Sequence, residues 1–202
     1  MGIRKTHIRQ TGYYFITFTN YNWMPLIALS DAYDLVYHWF DYLVREGHSI
    51  IGYVIMPNHI HLMLAYQSSD KSINTLIGNG KRLLAYNIIS RLQATHQNEI
   101  LAQLKNSVKS SGKGKKHEVF KPSFDLQHCY SQKFILQKLK YIHDNPCAKK
   151  WMLAISPLDY PHSSARFYFD GQQAAYPVVS WLDIEGNAQH TNVIARRNNE
   201  AI

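Results

Sequence analysis

Two histidines separated by a single residue, His59 and His61, lie in the stretch MPNHIHLML. Residues two apart on a β-strand point to the same face of a sheet, so a strand here would hold the two imidazole rings side by side. Two imidazoles on one rigid strand form half of a site for a divalent metal ion. Histidines with ordinary hydrogen bonds give the same pattern. A structural zinc site is disfavoured, because Cys129 and Cys147 lack finger-like spacing.

A second set of polar side chains lies around the stretch KYIHDNP, residues 140–146. Tyr141 and Asn145 are four residues apart and Gln137 lies one turn earlier, so the three share one face of a predicted helix. Simpler interpretations exist, because tyrosines often pack on amphipathic helices and an asparagine before a proline is a common helix end. The spacing alone therefore does not decide between packing and chemistry.

The elements that must position these side chains follow from periodicity and turn residues. Aromatic and β-branched residues predict a strand over 12–22, and Pro57 with Asn58 predicts the turn of a hairpin. On the second hairpin strand, alternate apolar residues are expected to face the core, opposite the histidines. The predicted hairpin strands cover 50–56 and 59–66, the helices cover 31–47, 72–97 and 131–145, and a further strand falls within 118–130.

This order of elements predicts an α+β fold. We expect a ferredoxin-like or RRM-like antiparallel sheet with helices on one face, and a C-terminal helix that carries Tyr141. Residues 1–146 are expected to form the domain, with a flexible basic loop over 105–121. An extension over 147–190 should pack on or near that domain, and 191–202 should be a disordered tail.

The composition is that of a basic, globular protein, with 46% hydrophobic residues and a formal net charge of +8. A basic surface attracts polyanions, most often nucleic acid, although charge alone fits a basic domain without such a partner equally well. Two cysteines without a CxxC pair predict a reduced, cytoplasmic protein. No signal-peptide core and no apolar run of membrane-spanning length occur, so no membrane partner is expected.

Taken together, YVIMPNHIHLML and the later YIHDNP resemble the two motifs of single-tyrosine HUH transposases of the IS200-like class. The segment DYPHSSARFY resembles the branch of REP-associated tyrosine transposases, and the resemblance runs over residues 13–168. It implies that His59, His61 and Asn145 bind Mg²⁺ or Mn²⁺ and that Tyr141 is the nucleophile. As a secondary hypothesis, Gln137 orients Tyr141 or replaces Asn145 on the metal.

The reaction implied by this resemblance is cleavage of single-stranded DNA beside a hairpin, such as a REP-like element or an insertion-sequence end. The intermediate would be a 5′-phosphotyrosine link, and a metal ion would compensate for a phenol whose ordinary pKa is about 10. Members usually continue NPV where this chain has Cys147, and the basic loop is longer than usual. Both departures bear on substrate preference more than on activity.

The resemblance further implies a bacterial or archaeal, nucleoid-associated protein. It favours a monomer, with a homodimer that exchanges tyrosine helices as the alternative. Basic side chains on the second helix and in the loop could bind phosphates, although a solvated loop is the simpler interpretation of the lysines. The candidate DNA-binding residues are Lys81, Arg82, Lys113, Lys115 and Lys116.

Three other functions fit parts of the sequence. A non-enzymatic RRM-like module would stack unpaired bases on exposed aromatic residues, but it would not require the histidine pair or Tyr141. A domesticated transposase that processes host repeats would use the same active site. A metal-dependent phosphodiesterase without a covalent intermediate would keep the metal ligands and have no need of the tyrosine.

Overall fold

The computed structural model describes residues 9–108 and 114–184. Four strands form one antiparallel sheet with the spatial order β2-β3-β1-β4. This order, with a β2–β3 hairpin that turns at residues 57–58, is the ferredoxin-like arrangement that the sequence predicts. The strands are β1 (Gly12–Thr19), β2 (Ser49–Met56), β3 (His59–Tyr66) and β4 (Asp125–His128).

Six helices that are bounded within the described residues accompany the sheet, and short 3₁₀ turns occur at Tyr21–Trp23, Asn145–Cys147 and Pro157–Asp159. Three of the helices were not predicted from the sequence, namely α1, α4 and α6. The last two residues of α4, Lys105 and Asn106, belong to the segment that was predicted to be a flexible loop. The helices are α1 (Leu26–Leu29), α2 (Tyr33–Arg45), α3 (Ile73–Ala94), α4 (Asn98–Asn106), α5 (Gln132–Asp144) and α6 (Ala165–Phe169).

Strand β3 is buried along its whole length because the sheet is covered on both faces. Its alternate residues Ile60, Leu62 and Leu64 belong to a core formed with α2 and α3. Met63 belongs to a second core on the opposite face, where α5 contributes Ile135, Leu139 and Ile142. The helix that carries Tyr141 therefore lies on the face of the sheet to which His59 and His61 point.

The segment after α5 covers the free edge of β2. The backbone N–H of Ile55 donates to the carbonyl of His162 over 2.9 Å, and Ser164 donates to the carbonyl of Tyr53 over 3.0 Å. The Ser164 hydroxyl also accepts from the Tyr53 N–H at 2.9 Å and lies 2.9 Å from Nε2 of His143 on α5. These bonds satisfy backbone groups that an open sheet edge would expose, and they tie the segment to the tyrosine helix.

No helix over residues 9–108 or 114–184 is both long enough and apolar enough to cross a bilayer.

Two glycines two residues apart on α3 give opposite expectations for alanine. A Cβ at Gly80 would overlap the buried indole of Trp39 on α2, whereas a Cβ at Gly78 would meet nothing within 4 Å. We expect Gly80→Ala to lower the free energy of unfolding by about 2 kcal/mol through overpacking. Gly78→Ala should raise it by about 0.5 to 1 kcal/mol through helix propensity. Urea denaturation of both variants measures these changes in the free energy of unfolding. Equal changes in the two variants would contradict the close contact between α3 and α2 at Gly80.

Candidate functional site

His59 and His61 lie side by side on β3, with ring centroids 4.8 Å apart. A neighbouring oxygen holds Nδ1 of each ring: Asn58 Oδ1 lies 2.6 Å from His59, and Thr17 Oγ1 lies 2.7 Å from His61. Thr17 is the β1 residue that pairs with His61 across the sheet. Each Nε2 therefore points away from the sheet, which is the orientation that a metal ligand needs.

The side chain of Asn145 lies against both rings. Its Oδ1 is 3.2 Å from Nε2 of His59, and its Nδ2 is 3.2 Å from Nε2 of His61. Asn145 reaches this position because α5 ends at Asp144 and a 3₁₀ turn over Asn145–Cys147 follows. Two residues that are 86 positions from each other in sequence, His59 and Asn145, thus become direct neighbours.

The orientation of the Asn58 amide determines which nitrogen of His59 carries the proton. The Asn58 Nδ2 donates to that carbonyl over 3.0 Å, so Asn58 Oδ1 is the acceptor that faces His59. His59 must then donate through Nδ1–H and leave a lone pair on Nε2. That lone pair faces the Asn145 amide, where a cation would find a nitrogen and an oxygen ligand together.

Both imidazoles are neutral at neutral pH. Burial lowers the pKa of His59 to about 4, with the charge of Lys150 acting in the same direction. Burial lowers the pKa of His61 well below its ordinary value, and His59, Lys150 and Lys138 add to the effect. Neutral imidazoles keep the lone pairs that metal binding requires.

The donor set fits a divalent ion of moderate affinity. Two imidazole nitrogens and one amide oxygen are acceptable ligands for Mn²⁺ or Mg²⁺, but they bring no negative charge. Over the described residues, no group of three His, Cys, Asp or Glu side chains is arranged to hold a metal. A further ligand with negative charge would complete such a site.

Tyr141 stands beside this group on α5. Its ring centroid lies 5.0 Å from that of His61 and 5.9 Å from that of Phe15, in edge-to-face contacts. The side chain is 47% exposed, which is high for a residue in contact with the core. The Nζ atom of Lys138 lies 5.9 Å from the ring centroid and 4.6 Å from that of Phe15. A solvent-accessible phenol thus lies close to both a buried imidazole and a cation.

Gln137 was predicted to share the face of Tyr141 and Asn145, but it is exposed and is not part of the cavity wall. The structure places Asn145, and not Gln137, beside both histidines. Lys138 takes the position one turn before Tyr141 that faces the site. Residues three and four before Tyr141 flank it on the helix surface, and the packing of α5 decides which of the two faces inward.

An open cavity of about 590 Å³ lies in front of the histidines and Tyr141. Its walls are mainly aromatic, polar and basic, with Asp125 as a carboxylate among them, and they include residues that were not predicted from the sequence. A lysine one helical turn before the tyrosine was a usable signal for Lys138, whereas no local pattern indicated the others. The missed wall residues with the greatest chemical interest are Trp23, Lys121, Lys138 and Lys150.

The predicted DNA-binding lysines occupy different environments. The ammonium of Lys81 donates to the carbonyls of Lys121, Pro122 and Ser123 at 2.7, 3.3 and 3.1 Å. Burial lowers the pKa of Lys81 to about 8. Its three N–H donors are therefore already in use, and its contact with phosphate, which would require exchange of these bonds, stays a prediction. Lys81 holds the chain that carries Lys121 at the cavity wall.

The remaining basic candidates are exposed where the structure describes them. Arg82 and Lys116 are exposed, and Lys115 forms a 2.5 Å ion pair with Glu118. Lys113 lies outside the described residues. None of these side chains is part of the cavity wall, so their contact with DNA stays a prediction.

The sequence matches no protein-family model and has no significant match among curated proteins. Among solved structures, the chain is similar to a REP-associated tyrosine transposase bound to a REP hairpin. The two share 17% identity and a TM-score of 0.56, over 88% of each chain. A provisionally assigned transposase from Deinococcus radiodurans has 14% identity and a TM-score of 0.35, over 71% of this chain and 97% of that one.

The first of these similarities shows a shared fold over most of the chain. It confirms the fold that the resemblance in sequence motifs predicts, an α+β sheet with the tyrosine helix as an additional element. The second similarity is too low to support an argument.

Proposed function

We propose that this protein cuts and rejoins single-stranded DNA beside a hairpin, with Tyr141 as the nucleophile. His59, His61 and the accessible phenol of Tyr141 line one cavity together with three lysines. The Asn145 amide lies against both histidines, and this convergence supports the proposal. The fold shared with a transposase bound to a REP hairpin agrees with a hairpin substrate. Whether the reaction serves a mobile element or host repeats depends on the genome that carries it.

In the proposed reaction the phenol oxygen of Tyr141 attacks the scissile phosphorus. A bond forms between that oxygen and phosphorus, the bond from phosphorus to the 3′-oxygen breaks, and the phenol proton is lost to solvent. The 3′-oxygen leaves as a hydroxyl after taking up a proton. The 5′-phosphotyrosine link keeps the energy of the phosphodiester, so a second 3′-hydroxyl can reverse the step without a nucleotide cofactor.

A divalent ion held by His59, His61 and Asn145 would polarise the phosphate and offset the charge that grows on its oxygens. The residues around it complete the site. Asn58 and Thr17 keep the two rings oriented through Nδ1, so each Nε2 stays available. The phosphate of the substrate would supply the negative charge that the three neutral ligands lack.

One chain is sufficient for the proposed site. The Tyr141 ring lies 5.0 Å from the His61 ring of the same chain, so no helix from a second copy is needed. This arrangement favours a monomer acting in cis. An RRM-like binding module is a poorer fit, because such modules use an open sheet face and β3 here is buried from end to end.

The test is to incubate the protein with Mn²⁺ and a pool of labelled hairpin DNAs that carry randomised single-stranded flanks. We expect a protein–DNA adduct that survives denaturing electrophoresis and disappears when a chelator is added. Sequencing of the trapped DNA would give the cleavage position. Tight binding of hairpins without an adduct from any member of the pool would support the binding-module alternative.

Lys138 is expected to assist the reaction through its charge. Its ammonium lies beside the phenol and could stabilise both a developing phenolate and the phosphate. We predict that Lys138→Met lowers the single-turnover rate of adduct formation by about 10-fold. Lys133→Met is the matched control, because Lys133 lies exposed on the same helix and carries the same charge. Equal losses in the two variants would assign the effect to net charge alone.

A further inference from the structure

Two indoles and two lysines form a cluster next to His59. The ring centroids of Trp23 and Trp151 lie 5.6 and 5.3 Å from that of His59, and 5.9 Å from each other. The Nζ atom of Lys121 lies 4.5 Å from the Trp23 ring, and that of Lys150 lies 4.9 Å from the Trp151 ring. Trp23 is 45% exposed, so part of its ring is open to a ligand.

The backbone presents Trp23 at some energetic cost. Asn22 and Trp23 have φ angles of 49° and 58°, in the left-handed region that side chains other than glycine seldom adopt. Such a conformation persists where the surrounding structure imposes it, often at a site of function. Here Asn58 supports it by donating to the Trp23 carbonyl over 3.0 Å, and the same Asn58 contacts Nδ1 of His59. The position of the indole is thereby linked to the position of the candidate metal ligand.

The cluster has the chemistry of a subsite for an unpaired nucleotide. An exposed indole offers a π-face to any base, and an adjacent lysine offers a cation to the phosphate. The Lys121 ammonium lies over the indole face, in cation–π distance. A stacked base would replace the Lys121 ammonium on the indole, and the ammonium could then contact the phosphate of the same nucleotide. The lysine would exchange an aromatic partner for an anionic one, so its charge would not be left without a partner.

The order of contacts gives the subsite a polarity. Ring contacts run from Tyr141 to His61 at 5.0 Å, from His61 to His59 at 4.8 Å, and from His59 to Trp23 at 5.6 Å. In an in-line displacement at phosphorus, the attacking and leaving oxygens lie on opposite sides. With a phosphate at the histidines and the phenol attacking from the His61 side, the leaving 3′-oxygen would lie on the His59 side, where Trp23 contacts the ring.

We infer that Trp23 stacks on the unpaired base of the nucleotide whose 3′-oxygen leaves during cleavage, while Lys121 and Lys150 contact the neighbouring phosphates. This inference rests on the proposed cleavage by Tyr141. The cluster would then also assist the rejoining of the DNA strand. After cleavage, the nucleotide that carries the free 3′-hydroxyl has no covalent link to the protein. Stacking on Trp23 would keep that hydroxyl near the phosphotyrosine.

The test combines variants of Trp23 with an abasic scan of a hairpin DNA that the protein cleaves. Affinity is measured by fluorescence anisotropy with Tyr141→Phe protein, which cannot trap the DNA covalently. We expect Trp23→Ala to weaken binding roughly 10-fold and Trp23→Phe to retain most of the affinity. An abasic site immediately 5′ of the cut should weaken binding by a similar factor and should cause no further loss in Trp23→Ala. Tyr130→Ala, which removes an aromatic ring that is 81% exposed outside the cavity wall, is the control.

The outcomes separate the inference from the proposed function. Additive losses from Trp23→Ala and the 5′ abasic site would overturn the inference, and so would coupling to a base on the 3′ side of the cut. An unchanged affinity of Trp23→Ala, with thermal unfolding like that of the parent, would also overturn it. If no DNA gives an adduct with the unmodified protein, the proposed function fails and the assignment to a leaving nucleotide fails with it.

Discussion

Tyr141→Phe is expected to abolish formation of the covalent protein–DNA adduct, with a loss of about 1,000-fold or more. The change removes one oxygen atom, which is the atom proposed to attack phosphorus. The ring should keep its edge-to-face contacts with Phe15 and His61, so the fold should be unaffected. The measurement is denaturing electrophoresis of labelled hairpin DNA after incubation with Mn²⁺, with thermal unfolding of the variant as the check on folding.

Tyr130→Phe is the matched control for this substitution. Tyr130 lies just before α5, is 81% exposed and is not part of the cavity wall, so its variant should form the adduct at the normal rate. A Tyr141→Phe protein that still cuts DNA would contradict the assignment of the nucleophile. Cleavage without any adduct would instead favour a phosphodiesterase that uses water.

Loss of any one proposed metal ligand is expected to weaken Mn²⁺ binding in the presence of hairpin DNA by at least about 10-fold to 100-fold. His59→Ala and His61→Ala each remove an imidazole whose Nε2 is directed at the site, and Asn145→Ala removes the amide between them. Mn²⁺ titration followed by electron paramagnetic resonance, with Tyr141→Phe protein and saturating DNA, measures the affinity without turnover. When the same ligand substitutions are made in protein that keeps Tyr141, the rate of adduct formation should fall along with the affinity for Mn²⁺.

Two variants serve as controls for the metal titration. Gln137→Ala changes an exposed amide on the same helix, and His38→Ala removes an exposed histidine on α2. Neither should alter the affinity for Mn²⁺. A loss in Gln137→Ala together with no loss in Asn145→Ala would exchange the roles assigned to these two amides. Submicromolar Mn²⁺ binding to the DNA-free protein would contradict the view that the neutral ligand set needs the phosphate of the substrate.

The side-chain clusters around the cavity divide the proposed reaction among separate parts of the fold. The β3 histidines and Asn145 would hold the ion, α5 would supply the nucleophile and the Lys138 charge, and the Trp23 turn would retain the leaving end. Lys81 contributes indirectly, because its three bonds to the 121–123 backbone fix the segment that carries Lys121. The segment with Ser164 contributes by holding β2 and α5 together, through its bonds to Tyr53 and His143.

The sequence by itself was sufficient for features that depend on local periodicity. Alternation along β3 places His59 and His61 on one face because the side-chain period of a strand is two, and Met63 on the same face enters the core below α5. The apolar spacing of α5 likewise predicts the helix that carries Tyr141, and Pro146 predicts where it ends. The order of strands and helices was enough to predict the ferredoxin-like sheet.

Only the tertiary structure decided which side chains meet. Helical spacing places Gln137 and Lys138 on either side of Tyr141, and the docking of α5 through its apolar residues turns Lys138 toward the cavity. Lys81 carries the sequence signature of a phosphate contact, but burial beside three carbonyls gives its charge a structural use. Trp23 and Trp151 come from distant parts of the chain, and no local pattern relates them. Periodicity fixes the direction of a side chain relative to its own element, whereas long-range packing fixes the neighbours that the side chain finds there.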